Sequence, residues 1–119
     1  MSRYFPDPKD CPLIQPLAGL ETRILTGLAA SDRMMMVLST TLPGHTVPLH
    51  THPHEQIGIV YSGRAILRIG DEEREVRQGD FYRIPGGVPH GDTALGDEPF
   101  VMLDVFSPGR EEFIKMLES

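Results

Sequence analysis

Residues 44–63 read GHTVPLHTHPHEQIGIVYSG, and the fold turns on how the histidines are spaced within them. Four of the five histidines, His45, His50, His52 and His54, fall within ten residues. In a strand, side chains two apart project to the same face. His50 and His52 therefore point together, at a separation that suits two imidazoles on one ion. His54 shares that parity, but Pro53 bends the chain before it. Gln56 lies four beyond His52 and returns to the same face with a side-chain carbonyl. Glycines flank the group, so the segment is Gly44-x5-His50-x-His52-x3-Gln56-x6-Gly63. After 15 residues a second segment follows, Gly79-x5-Pro85-x-Gly87-x2-His90. Its Pro85-Gly86-Gly87 turn is stiff and tight, and aims His90 inward.

The surrounding sequence is built of short strands. Arg33–Thr41 is an apolar run too short for a core helix and is stopped by Pro43-Gly44. Gln56–Tyr61 and Arg64–Ile69 flank Ser62-Gly63, and Gly70–Glu73 turns the chain into Arg74–Arg77, a hairpin with a charged outer face. Gly79–Pro85 and Pro99–Phe106 are two more strands. Only the C-terminus reads as helical, over about 108–118, with Ser107 as N-cap, Pro108 in the first position, and Phe113, Ile114 and Leu117 on one face. Residues 1–20 are Pro-rich and aperiodic, an arm beside a single domain over 21–119. Many short strands with one terminal helix predict an all-β barrel or double-sheet jelly roll.

Composition narrows the function classes. At 119 residues the chain suits one core, and its net charge of −6 argues against nucleic acid or an anionic membrane as partner. The lone Cys11 cannot form an intramolecular disulfide, so its thiol reads as inert. No stretch has the apolar length of a membrane span, and the N-terminus has no signal-peptide pattern; a cytoplasmic location is the expectation.

The two spaced segments resemble the paired motifs of the cupin superfamily, small double-sheet β-barrels, across residues 44–90. The resemblance implies a cupin double-stranded β-helix. It also implies that His50, His52, Gln56 and His90 ligate one divalent transition metal ion: Zn, Ni, Fe, Mn or Co. The fourth position, usually Glu in cupins, is Gln56 here, and the usual closing Asn is replaced by Ala94. A neutral amide leaves the full charge of the ion on the site, which favours Lewis-acid chemistry. His54 is expected outside the ligand set, Glu55 facing solvent, His45 in a loop, and Met34–Met36 in the core or a subunit contact.

A second cluster lies near the C-terminus. Period 2 places Asp104 with Phe100, Met102 and Phe106 on one strand face. A buried carboxylate there needs a cation or hydrogen-bond donors, and burial raises its pKa towards values useful for proton transfer. HTHPHEQ, residues 79–85, Pro89-His90-Gly91 and DVFSPGREEF (104–113) are similar to the KdgF family of cupins over roughly 33–114. That resemblance implies conversion of 4,5-unsaturated monouronates to the linear 5-keto-4-deoxyuronate form. Asp104, Phe106 and Arg110 match that family's catalytic or substrate-contact positions. Asp104 would move a proton, Arg110 would hold the uronate carboxylate, and Phe106 would form an apolar wall.

The expected partner is therefore a small anionic sugar acid, with no nucleic acid and no membrane. Two other functions fit the metal motif alone: a non-haem metal dioxygenase and a non-catalytic metabolite-binding cupin. Cupins often pair through their sheets, which implies a homodimer using Arg33–Thr41 as its apolar edge.

Overall fold

Ten strands form two antiparallel sheets in the computed structural model, which describes Ser2 and residues 4–118. The strands are β1 (Leu13–Leu17), β2 (Leu20–Thr26), β3 (Met35–Thr41), β4 (Thr46–His50), β5 (Glu55–Ser62), β6 (Arg64–Ile69), β7 (Glu72–Arg77), β8 (Phe81–Ile84), β9 (His90–Ala94) and β10 (Phe100–Ser107); one helix, α1 (Glu111–Glu118), follows. The larger sheet runs β1-β2-β3-β10-β5-β8 and the smaller β4-β9-β6-β7. This is the expected all-β jelly roll. The chain crosses between sheets at Gly63, whose φ of +78 and whose missing Cβ (one would lie 2.2 Å from the Pro99 carbonyl) both require glycine.

Period-2 patterning explains which faces turn inward. Along β10, Phe100, Met102, Asp104 and Phe106 are buried, while Val101, Leu103 and Val105 are half-exposed on the outer face. The inward side chains form two apolar clusters. One gathers Val60, Ala65, Leu67, Val76, Ala94, Phe100 and Met102, so Ala94 is core. The other gathers Ile14, Ile24, Met35, Val37, Phe106 and Phe113. Full burial of a side chain such as Phe100 contributes roughly 2–3 kcal/mol. Asp104 sits on β10 between the two clusters, where the apolar core is interrupted.

Several expectations change here. Residues 1–20 are not simply an arm: β1 lies within them and pairs antiparallel with β2. Pro16 is accommodated because β1 is a sheet edge, where a missing N–H is tolerated. The helix begins at Glu111 rather than 108, because β10 continues to Ser107, which faces Glu55 of β5 and caps nothing. Arg33–Thr41 is no edge either; β3 lies between β2 and β10. Met35 is fully buried and Met34 exposed. Cys11 is buried, its thiol donating to the Asp7 carbonyl at 3.2 Å. Among the described residues no helix is long and apolar enough to cross a membrane.

Candidate metal centre

Three strands and one loop build the site. His50 ends β4 and is the cross-strand partner of His90, which opens β9. His52 lies in the loop before β5, and Gln56 on β5 is paired with Phe106 of β10. The second motif's turn holds that loop in place. Gly87 donates its N–H to the His52 carbonyl at 2.8 Å, and a Cβ on Gly86 would lie 2.3 Å from the Pro53 carbonyl. The glycines therefore let two segments distant in sequence pack backbone to backbone.

One ring nitrogen from each of His50, His52 and His90 lies within 4.8 Å of the others. Ring centroids are 4.3 Å apart for His50–His90, 4.8 Å for His52–His90 and 5.9 Å for His50–His52. Each Nδ1 donates to a main-chain carbonyl: His50 to Pro48 (2.9 Å), His52 to His54 (3.0 Å) and His90 to Val88 (2.9 Å). A carbonyl only accepts, so the proton of each neutral ring is on Nδ1 and the lone pair on Nε2. Burial, chiefly, lowers His52 to about 4, with the Arg110 charge adding to it, and burial likewise lowers His90 to about 4. Both rings are therefore neutral, ligand-ready imidazoles near pH 7.

The donor set fits a cation. His52 Nε2 faces Gln56 Oε1 at 3.1 Å, and both are acceptors once Nδ1 holds the ring proton. The amide is held this way because its Nε2 donates to Asp104 Oδ1 at 2.9 Å. Two lone pairs this close in a buried place repel unless a positive charge lies between them. Imidazole nitrogens with one amide oxygen suit a divalent transition metal.

The remaining residues sit around this group. Asp104 is fully buried; burial raises its pKa, against hydrogen bonds from Tyr82, Gln56 and Ser39 that favour the carboxylate. The Tyr82 hydroxyl donates to Asp104 Oδ1 at 2.5 Å, and burial raises the phenol's pKa. Phe106 meets His52 edge to face at 5.7 Å. Arg110 is not an exposed helix residue: it precedes α1, stacks over Phe106 (4.9 Å) and Phe113 (4.4 Å), and its Nε donates to Glu112. It makes no hydrogen bond to the histidines.

His54 is buried. Its carbonyl orients His52, its Nε2 donates to Glu111 Oε2 at 2.9 Å, and its Nδ1 has no hydrogen-bond partner. His54 thus ties the loop to the start of α1. Glu55 is exposed, and His45 lies in the turn between β3 and β4. Sequence reasoning passed over Tyr82, Ser39 and Asp92. Tyr82 shares inward parity with Ile84 in GDFYRIP, and that was the available signal.

The chain belongs to the cupin family: the cupin domain model matches residues 37–106. Within that family it is similar to the pectin degradation protein KdgF of Dickeya dadantii, 34% identical over 115 residues, which is 96% of this chain and 100% of the relative. A solved structure of KdgF from Halomonas sp. superposes with a TM-score of 0.78 at 27% identity, covering 92% of this chain and 98% of that one. An RmlC-like cupin from Shewanella frigidimarina gives a TM-score of 0.80 at 24% identity, over 94% and 96% of the two chains, and shares the fold.

Proposed function

We propose that this chain is a metal-dependent enzyme that converts 4,5-unsaturated monouronates to the linear 5-keto-4-deoxyuronate form. The observation that carries this reading is the convergence of His50, His52 and His90 with the Gln56 oxygen, and the Asp104 carboxyl hydrogen-bonded to the same amide. Similarity to a pectin degradation protein along the whole chain supports a sugar acid as substrate. His50, His52, Gln56 and His90 are the ligands, and the ion is Zn, Ni, Fe, Mn or Co. When bound, it supplies Lewis-acid polarisation of a substrate oxygen.

The chain's own residues do the rest. The reaction is an isomerisation: a proton leaves the anomeric hydroxyl as the ring C–O bond breaks, and one arrives at C4 as the enol becomes the ketone. Asp104, with its pKa raised by burial, is the carboxyl placed to move that proton. The Nε–H of Arg110 is committed to Glu112, and its Nη groups hold the substrate carboxylate. Phe106 supplies the apolar wall and keeps the His52 ring upright. The active form is a homodimer whose contact is the outer face of the larger sheet, where Ile57, Ile59, Phe81, Leu103 and Val105 line an apolar depression.

The test is a spectrophotometric assay on purified protein of measured metal content. Loss of the alkene absorbance of unsaturated galacturonate or mannuronate is followed with and without chelator. The wild type accelerates it, whereas chelated protein, His50→Ala and Asp104→Asn do not. A wild-type rate equal to background removes the proposal, and oxygen uptake in its place would assign the chain to the dioxygenases.

A further inference from the structure

A primary amide has two ends of nearly equal size, and only its oxygen can act as a metal ligand or an acceptor. Which end of Gln56 faces the histidines is set by what holds the other end. We propose that Tyr82 is a positioning residue that fixes, through Asp104, the orientation of the Gln56 amide. This rests on the reading of Gln56 as a ligand.

Two donors meet at one oxygen. Asp104 Oδ1 accepts from Tyr82 Oη at 2.5 Å and from Gln56 Nε2 at 2.9 Å. An oxygen that accepts from both has no proton to offer, so the amide must turn its N–H₂ towards it and its Oε1 towards His52. Without the Tyr82 hydroxyl the carboxyl keeps its Ser39 and Gln56 bonds but loses the shorter of the two contacts at Oδ1. Once that oxygen turns away or takes up the proton that burial favours and the Tyr82 bond opposes, the amide reverses, presenting N–H groups where a cation is to be bound.

The backbone is arranged for this contact. Tyr82 on β8, Gly58 on β5 and Asp104 on β10 are successive cross-strand partners. The phenol passes over Gly58 to reach Asp104: a Cβ at position 58 would lie 2.3 Å from Tyr82 Oη and 2.3 Å from the Leu103 carbonyl. Gly58 is not among the positive-φ glycines, so its own backbone does not demand glycine. The space above it does. The Leu103 carbonyl lies 3.4 Å from Tyr82 Oη, but the single hydroxyl proton goes to the much nearer Asp104 Oδ1.

The test measures Zn(II) affinity of the metal-stripped full chain by competition with a chromophoric chelator. Four proteins are compared: wild type, Tyr82→Phe, Gln56→Ala and the double variant. Tyr82→Phe keeps the ring, and is expected to weaken Zn(II) by about 10-fold, the usual scale for losing a group that orients a ligand. In the Gln56→Ala background the same change is expected to have no effect, since there is no amide left to orient. Tyr82 is refuted as a positioning residue if its loss weakens Zn(II) equally in both backgrounds, or leaves it unchanged while Gln56→Ala weakens it. If Gln56→Ala itself leaves the affinity at the wild-type value, Gln56 is not a ligand and the proposal falls with that reading.

Discussion

Asp92→Asn makes the fold more stable at neutral pH and not at acid pH. Asp92 lies on β9 two residues after His90, and its cross-strand partners Val47 and Leu67 are both buried. Thr41 Oγ1 donates to Asp92 Oδ1 at 2.7 Å. Burial, the largest cause, pushes the carboxyl from 3.8 up to about 6, and the charge of Asp104 adds to it, while the Thr41 bond opposes. A folded pKa above the unfolded one means that the folded chain binds the proton more tightly. The resulting stability is full below pH 3.8 and is lost as pH rises through 6. Each pH unit between the two values is worth about 1.4 kcal/mol, so the whole loss is about 3 kcal/mol. About 2 kcal/mol of it falls between pH 4.5 and 8. Asparagine has the same shape and no such loss. Urea unfolding of both metal-stripped proteins from pH 4.5 to 8 is the assay, and the contributions of His52 and His90, common to both, cancel in the difference. The stability difference in favour of Asn should rise by about 2 kcal/mol and level off above pH 7. A difference that is flat with pH, or that shrinks as pH rises, refutes the reasoning.

Three further outcomes follow from the same geometry. In the metal-stripped protein the ring resonances of His52 and His90 titrate near pH 4 rather than 6.5 by NMR, because burial depresses both; the unfolded chain then takes up protons first, so these rings destabilise the fold as pH falls from 6.5 towards 4. Phe106→Ala removes a fully buried ring from the cluster under α1 and from the edge of His52, costing about 3–5 kcal/mol in urea unfolding, with Phe106→Leu milder. Phe81→Glu, on a side chain 81% exposed at the apolar outer face, is expected to convert the proposed dimer to monomer by light scattering; a monomeric wild type removes the dimer instead.

The parts of the fold and site that could be read in the sequence were those carried by local spacing. The His50, His52 and His90 positions came from motif intervals, and the burial of Asp104 came from period 2 along one strand. What escaped depended on register across strands. Thr41 and Asp92 bond across 51 residues, and Tyr82 and Asp104 across 22, through sheet pairings that no local pattern displays. His54 read only as a residue outside the ligand set, because parity says nothing about a helix arriving from residue 111. β1 was missed because its Pro16 and short length resemble an arm, and only its place at the sheet edge makes proline harmless. The helix start was misplaced because Ser107-Pro108 has the composition of a cap, whereas pairing with β5 extends β10 to Ser107.

His50 and His90 belong to the smaller sheet, Gln56 to the larger, and His52 to the loop that passes between them. An ion held by all four would therefore act as a rivet through the sandwich, as a disulfide does in a secreted domain. Its loss would take away a tie between two halves as well as a reagent. Metal supply would then be a control on lifetime: chains starved of the ion would open more often and meet proteases sooner than loaded ones.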